Sequence, residues 1–298
     1  MKVKSMRTKK KLFAFFELIR LPNLFTAAAD VVAGIFIVRG THAPGASFAG
    51  LLLCTLCIYA GGCVLNDLCD LEKDTRERPA RPLPSGRVTR DQAWLLLTIL
   101  FALGLFGAFL AGWQSFSIAV ILMIMVVSYD AWAKNNDLWG PAAMGVCRSL
   151  NLLLGLSLGF LSAGTALIFP VLHFIYVYSL TTLSRFEVAG NPRGKRRIVL
   201  GGWLLAVAIL MLMWSVETIS GDALWFLVVL VLLTGPPLLT SLWQELPDSI
   251  GKAVGMMIIC LPVLDAVYVA GTRGWTYALP VALLGPAALL LGRRFYVT

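Results

Sequence analysis

Apolar residues run along this chain in long blocks separated by short polar connectors. Ten blocks are legible, at roughly 21–38, 46–65, 92–112, 115–131, 140–162, 166–183, 198–217, 223–243, 253–271 and 275–292. Each is close to the roughly 20 residues that a helix needs to cross a hydrocarbon core. The blocks do not alternate with a period of two over about 10 residues, as membrane β-strands do. The pattern therefore predicts an all-α integral membrane bundle of nine or ten transmembrane helices. Segment 275–292 carries Pro280 and Pro286 and is the least regular of the ten.

Composition sharpens this reading. Of 298 residues, 58% are hydrophobic and 14% charged, and the mean hydropathy is +0.81. Soluble domains carry about 25% charged residues, so a typical soluble enzyme is excluded, as are a disordered chain and a coiled coil. The net charge of +9 would suit nucleic acid, but its placement argues against that. The basic residues gather in the N-terminal tail, at Lys73–Arg90, at Arg185–Arg197 and at Arg293–Arg294, all on one set of connectors, whereas the opposite set holds only Arg39 and Arg273. Basic connectors mark the cytoplasmic side. The expectation is a multi-pass protein of the cell inner or plasma membrane with both termini cytoplasmic, facing an anionic substrate or lipid surface. The basic start runs into 21–38, which is too long for a signal-peptide core, so no cleavable signal is expected. Residues 1–298 read as a single polytopic domain. Its long loops, 66–91 and 184–197, follow segments 2 and 6, which suggests related halves (helices 1–4 and 5–8) and a terminal pair.

The first loop carries candidate chemistry. Segment 2 ends in Asn66-Asp67-Leu-Cys-Asp70-Leu-Glu-Lys-Asp74. Carboxylates spaced by three and four residues share one face of a helix and repel one another unless a cation sits among them. Mg²⁺ takes one or two carboxylates plus phosphate oxygens, so Asn66, Asp67, Asp70 and Asp74 are read as metal ligands. Arg76, Arg78, Arg81 and Arg87 follow, and guanidinium forks match phosphate oxygens. The bland alternative is a solvated, self-neutralising loop.

These residues resemble the UbiA superfamily of intramembrane prenyltransferases. The resemblance is carried by N-D-x-x-D-x-x-x-D at 66–74 and R-P-L-P-S-G at 81–86, and is extended by Arg20-Leu-Pro-Asn23, Tyr129-x-x-x-x-Lys134 and Arg148-Ser-Leu-Asn151. It implies a bundle around a central cavity, in which Mg²⁺ and an isoprenyl diphosphate meet and the prenyl group passes to a small acceptor. On this reading Asp67, Asp70, Asp74, Lys134 and Arg148 are catalytic. Asn66, Arg78, Arg81, Tyr129, Arg193 and Lys195 bind diphosphate. Asn23, Asp30, Asn151 and Glu187 lie on the acceptor side, and Glu187 also joins the metal ligands.

The second loop departs from the family pattern, which has another Asp-rich motif here. Ser184-Arg-Phe-Glu187-Val-Ala-Gly-Asn191-Pro-Arg193-Gly-Lys195-Arg-Arg holds one carboxylate and five basic residues. Either the basic residues take over part of the metal's charge-neutralising role, or the chain binds a prenyl lipid without catalysis, as a carrier or flippase would. The complete first loop favours the former. The Leu-Ser-Arg-Phe-Glu stretch resembles the divergent UbiA-like branch associated with ebo-type gene clusters, which implies a polyhydroxylated or cyclitol-like acceptor.

Ionisable residues within apolar segments usually face a cavity or a partner. Arg148 and Asn151 share a face of segment 5. Asp30 in segment 1 and Asp265 in segment 9 are read as acceptor-orienting groups or as structural partners of Arg148. His173 in segment 6 reads as a lone, satisfied interior histidine. Cys54 and Cys57 form a C-x-x-C inside an apolar helix without a second Cys/His pair, and are read as core residues.

Overall fold

The computed structural model describes residues 12–187, 190 and 193–292. The basic N-terminal tail, Asn191, the Arg193 side chain and Arg293–Arg294 lie outside the described residues or side chains. Among the described residues, ten helices are long and apolar enough to cross a membrane. They are α1 (Leu21–Arg39), α2 (Gly45–Cys69), α3 (Arg90–Ala111), α4 (Trp113–Ala131), α5 (Trp139–Gly159), α6 (Gly164–Ser184), α7 (Arg196–Ser215), α8 (Asp222–Gln244), α9 (Pro247–Arg273) and α10 (Trp275–Gly292). The protein is a multi-pass, all-α membrane protein. In hydrocarbon every backbone polar group must be satisfied within the chain, and helices accomplish that segment by segment.

Burial sorts the helices into two layers. α1, α2, α5, α6 and α9 are mostly buried, whereas α3, α4, α7, α8 and α10 leave most of their surface open. The open surface is apolar: Phe109 is 60% exposed, Leu232 66% and Trp225 75%. Such residues belong against lipid rather than water. The inner helices gather the polar side chains, including Asp30, Asp67, Arg148, Asn151, His173 and Asp265.

Between membrane helices, lipid tails remove most of the hydrophobic incentive to associate, and close van der Waals packing of small residues takes its place. α1 meets α5 at Gly34 and Gly155, where a Cβ added to Gly34 would lie 2.6 Å from the Leu152 carbonyl oxygen. α2 meets α3 at Gly50 and Gly107, where a Cβ on Gly50 would lie 2.5 Å from the Gly107 carbonyl oxygen. Gly34→Leu is therefore expected to lower the melting temperature in detergent, because it must push α1 off α5 backbone. Gly251→Ala, with nothing within 4 Å of its Cβ position, is expected to leave it unchanged.

One boundary differs from the sequence reading. The polar connector expected over 244–252 is largely helical: α9 begins at Pro247, six residues before the apolar block. Proline is tolerated in a first helical turn, and Asp248 lies in that turn, where the helix dipole favours it. A second proline, Pro262, opens the other half of α9 after a break at Cys260.

Candidate active site at the mouth of the bundle

α2 runs past the core and ends at Cys69; after a bend at Asp70 a short helix, Leu71–Glu77, continues the chain. The helical hydrogen bonds persist through the bend, since the Asp70 amide donates to the Asn66 carbonyl and the Asp74 amide to the Asp70 carbonyl. Asp67 and Asp74 are buried on one side of this segment. Arg81 lies between them, its Nη1 2.7 Å from Asp74 Oδ2 and 3.5 Å from Asp67 Oδ1. Asp70 turns the other way, to Lys134 Nζ at 2.8 Å. The three carboxylates thus do not close on a common point. Arg81, expected to hold phosphate, holds carboxylates.

The neighbours complete the mouth. Arg20 Nη2 donates to Asp67 Oδ1 at 3.1 Å and to Asn66 Oδ1 at 3.2 Å. Its backbone is left-handed, with φ 51°. Such a conformation costs a non-glycine residue roughly 1–3 kcal/mol and persists where the surroundings over-determine it; here the guanidinium is anchored on two side chains of α2. The other end of the Asn66 amide donates to Asp130 Oδ1 at 2.8 Å. Lys134 lies 3.9 Å from the same oxygen. The turn after the Leu71–Glu77 helix closes through Ser85 and Gly86, the latter at φ 71°. Arg87 then clamps Glu17 through two N–H···O bonds of 2.6 and 3.1 Å.

The second loop faces the first across opposite charges. Glu187 is half-buried; burial pushes its carboxyl above the usual range, and the Arg78 guanidinium pulls it back down. Arg78 itself is exposed and Lys195 half-buried. Arg185 is tied down on Asp137 at 2.8 Å and on the Lys134 carbonyl at 2.8 Å, so it braces the connector that presents Lys134.

Beneath the mouth lies a cavity of about 230 Å³. Arg20, Asn66, Asp130 and Tyr129 line it at the charged end; Ile58, Leu122, Val126 and Met144 form apolar wall; Thr55, Arg148 and Asn151 line it deeper in the bundle. Asn23 lies outside this lining and faces the Tyr59 hydroxyl, which is part of it. Asp30 also lies outside it. Asp30 takes hydrogen bonds from Arg148 Nη2 at 3.1 Å and Asn151 Nδ2 at 2.9 Å, and Thr55 donates to Asn151 Oδ1 at 2.7 Å. Asp30 is thus the carboxylate partner of Arg148. His173 is neither alone nor satisfied, as the sequence had implied. It stands between Asp30 and Asp265, 3.5 and 3.6 Å away, and both ring nitrogens lack a hydrogen bond. Cys54 and Cys57 are buried free thiols.

Two residues of the mouth were not singled out from the sequence as site residues. Asp130 has a signal, its i,i+4 spacing to Lys134. Arg20 stood in the opening motif, but its contacts with residues 46 and 47 positions away are a product of the fold.

The described residues thus form a multi-pass helical bundle with a charged mouth over a largely apolar cavity. The chain belongs to the UbiA prenyltransferase family, whose profile matches residues 27–298, and so to a family of enzymes that transfer prenyl groups. It is 33% identical over 177 residues to the digeranylgeranylglyceryl phosphate synthase of Sulfolobus acidocaldarius, an alignment covering 59% of this chain and 62% of the relative. A solved structure of digeranylgeranylglyceryl phosphate synthase superposes with a TM-score of 0.67 at 21% identity, covering 88% of this chain and 98% of that one. A UbiA homologue from Archaeoglobus fulgidus, bound to GPP and Mg²⁺, superposes with a TM-score of 0.57 at 15% identity, covering 91% and 99%. Both superpositions show the shared fold.

Proposed function

We propose that the chain transfers a geranylgeranyl-class prenyl group from its diphosphate to a small polyhydroxylated acceptor. The observation that carries this reading is the cavity: charged groups at one end, apolar wall along its length, and a hydrogen-bonding Arg148–Asn151 floor. An isoprenyl diphosphate is charged at one end and apolar along the rest, and fits that order. The related synthases of a geranylgeranylated glyceryl phosphate support the donor and the hydroxyl-bearing acceptor; the likeness to the ebo-type branch supports a cyclitol-like one. The placement of the basic connectors supports a mouth on the cytoplasmic side of the inner or plasma membrane.

The mouth fits Mg²⁺ by the chemistry of its donors: Asn66, Asp67, Asp70 and Asp74 offer hard oxygens and two of the carboxylates are buried; Arg81, which bridges Asp67 and Asp74, would give way to the ion. Mg²⁺ bound there would neutralise diphosphate oxygens and so favour their departure. The chain's own cations take the remaining charge, with Lys134 and Arg20 at the mouth and Arg148 below. The bond between prenyl C1 and the diphosphate oxygen breaks, and diphosphate leaves with the electron pair. A lone pair of the acceptor hydroxyl forms the new C–O bond, and the hydroxyl proton passes to Asp130, the carboxylate that lines the cavity. The apolar wall keeps water from the allylic cation.

A carrier reading draws on the mouth's internal pairing, in which Arg20, Arg81 and Lys134 neutralise all three aspartates. Purified protein in nanodiscs, given geranylgeranyl diphosphate, Mg²⁺ and a panel of glyceryl phosphates and cyclitols, separates the two. A prenylated acceptor in the mass spectrum, with one diphosphate released per product, is the expected result. Saturable binding of the diphosphate without product from any acceptor would establish the carrier.

A further inference from the structure

Away from the mouth, α1, α6 and α9 bring Asp30, His173 and Asp265 together, each with none of its surface exposed. One ligand atom from each lies within 4.8 Å of the other two. Tyr268, one turn beyond Asp265 on α9, is also fully buried and is stacked on Phe169 at a centroid distance of 4.5 Å. Its hydroxyl has no hydrogen-bond partner, and neither do both nitrogens of His173 or both carboxylate oxygens of Asp265.

Five polar atoms without a partner, gathered in one place inside a membrane bundle, mark a place where a ligand can bind. Buried donors and acceptors are otherwise paired nearly without exception, and hydrocarbon supplies no water to relieve them. Asp30 and Asp265 stand against one positive charge, Arg148; a single proton shared between the carboxylates balances the cluster in the free protein, and a metal ion would displace it. The donor set says which kind. One imidazole nitrogen with carboxylate oxygens is a ligand set of Zn²⁺ and neighbouring transition metals. Mg²⁺ prefers all-oxygen sites that retain water.

We propose that Asp30, His173 and Asp265 form a buried transition-metal site of the zinc class, with the Tyr268 hydroxyl as a further ligand or capping neighbour. Ligand atoms around tetrahedral zinc lie about 3.3 Å apart, from metal–ligand bonds of about 2.0–2.1 Å. One ligand atom from each of the three residues lies within 4.8 Å of the other two, so the side chains draw in by about an ångström on binding; the 3.5 and 3.6 Å approaches of Asp30 and Asp265 are to different nitrogens of His173, one of which is the ligand. The metal's role is positional. It fixes Asp30, and Asp30 holds Arg148 and Asn151 where they line the cavity. The site is separate from the mouth and does not depend on prenyl transfer.

The composition makes the test clean. The chain has two histidines, His42 and His173, and zinc held instead by the thiols near the mouth, Cys63 and Cys69, would show sulfur in its shell. Full-length protein in detergent, stripped with chelator and reloaded with Zn²⁺, is measured by elemental analysis and by zinc X-ray absorption. About one tightly held zinc per chain with an imidazole nitrogen in its shell is expected. It should persist in His42→Ala and Asp67→Asn/Asp70→Asn and fall to near zero in His173→Ala and Asp265→Asn. Folding of each variant is checked by gel filtration. Folded wild-type protein that retains no zinc would overturn the proposal and leave a proton to balance the cluster, as would an all-oxygen shell. Should the His173 variant not fold, the wild-type absorption spectrum decides alone.

Discussion

Asp67→Asn should abolish most Mg²⁺-dependent release of diphosphate, by about 100-fold or more, the scale on which a preorganised charge-stabilising group acts. Asp67 is 4% exposed and answers two arginines, Arg20 and Arg81. Asparagine keeps its shape and removes its charge, so two guanidinium groups lose their common partner and the proposed Mg²⁺ site loses an anionic oxygen. Asp70→Asn is expected to act as strongly for a different reason: it frees Lys134 from its 2.8 Å ion pair while leaving Arg20 and Arg81 in place. Initial rates in nanodiscs, at matched protein amounts verified by gel filtration, check both. Undiminished turnover in both variants would remove the mouth from the chemistry.

The second large effect is on stability. Asp30→Ala leaves the Arg148 guanidinium in the bundle interior without its carboxylate partner and removes one hydrogen bond of the Asn151 amide. Breaking one side of a buried ion pair costs about 3–5 kcal/mol. Asn151→Ala removes hydrogen bonds but strands no charge, and should cost about 1.5–3 kcal/mol. Thermal melts in a single detergent should therefore rank wild type above Asn151→Ala and Asn151→Ala above Asp30→Ala. Equal melting of Asp30→Ala and wild type would show that Arg148 draws its compensation from elsewhere.

The helices were legible because a membrane span is a local property: about 20 apolar residues announce it whatever they pack against. α9 shows where that fails. Its first turns carry Asp248 and Lys252 beyond the apolar block, and the hydropathy pattern cannot see a helix that continues past the hydrocarbon. At the mouth, the spacing of Asp67, Asp70 and Asp74 was legible, and Asp67 and Asp74 do meet at Arg81. Asp70 departs because the chain bends there and Lys134, from the far end of α4, takes it. Its choice of partner is set by the packing of α2 against α4, which no local pattern encodes. The same holds for His173. Read within α6 it is a single polar residue in an apolar run; only the meeting of α1, α6 and α9 shows its two carboxylate neighbours.

A structure of the protein with Mg²⁺ and a non-hydrolysable thiolo analogue of geranylgeranyl diphosphate would show where the substrate binds. Diphosphate density is expected among Asn66, Asp67, Asp70 and Lys134, with the prenyl chain running along Ile58, Leu122, Val126 and Met144. Density with the diphosphate elsewhere, or with the chain outside this cavity, would contradict this placement.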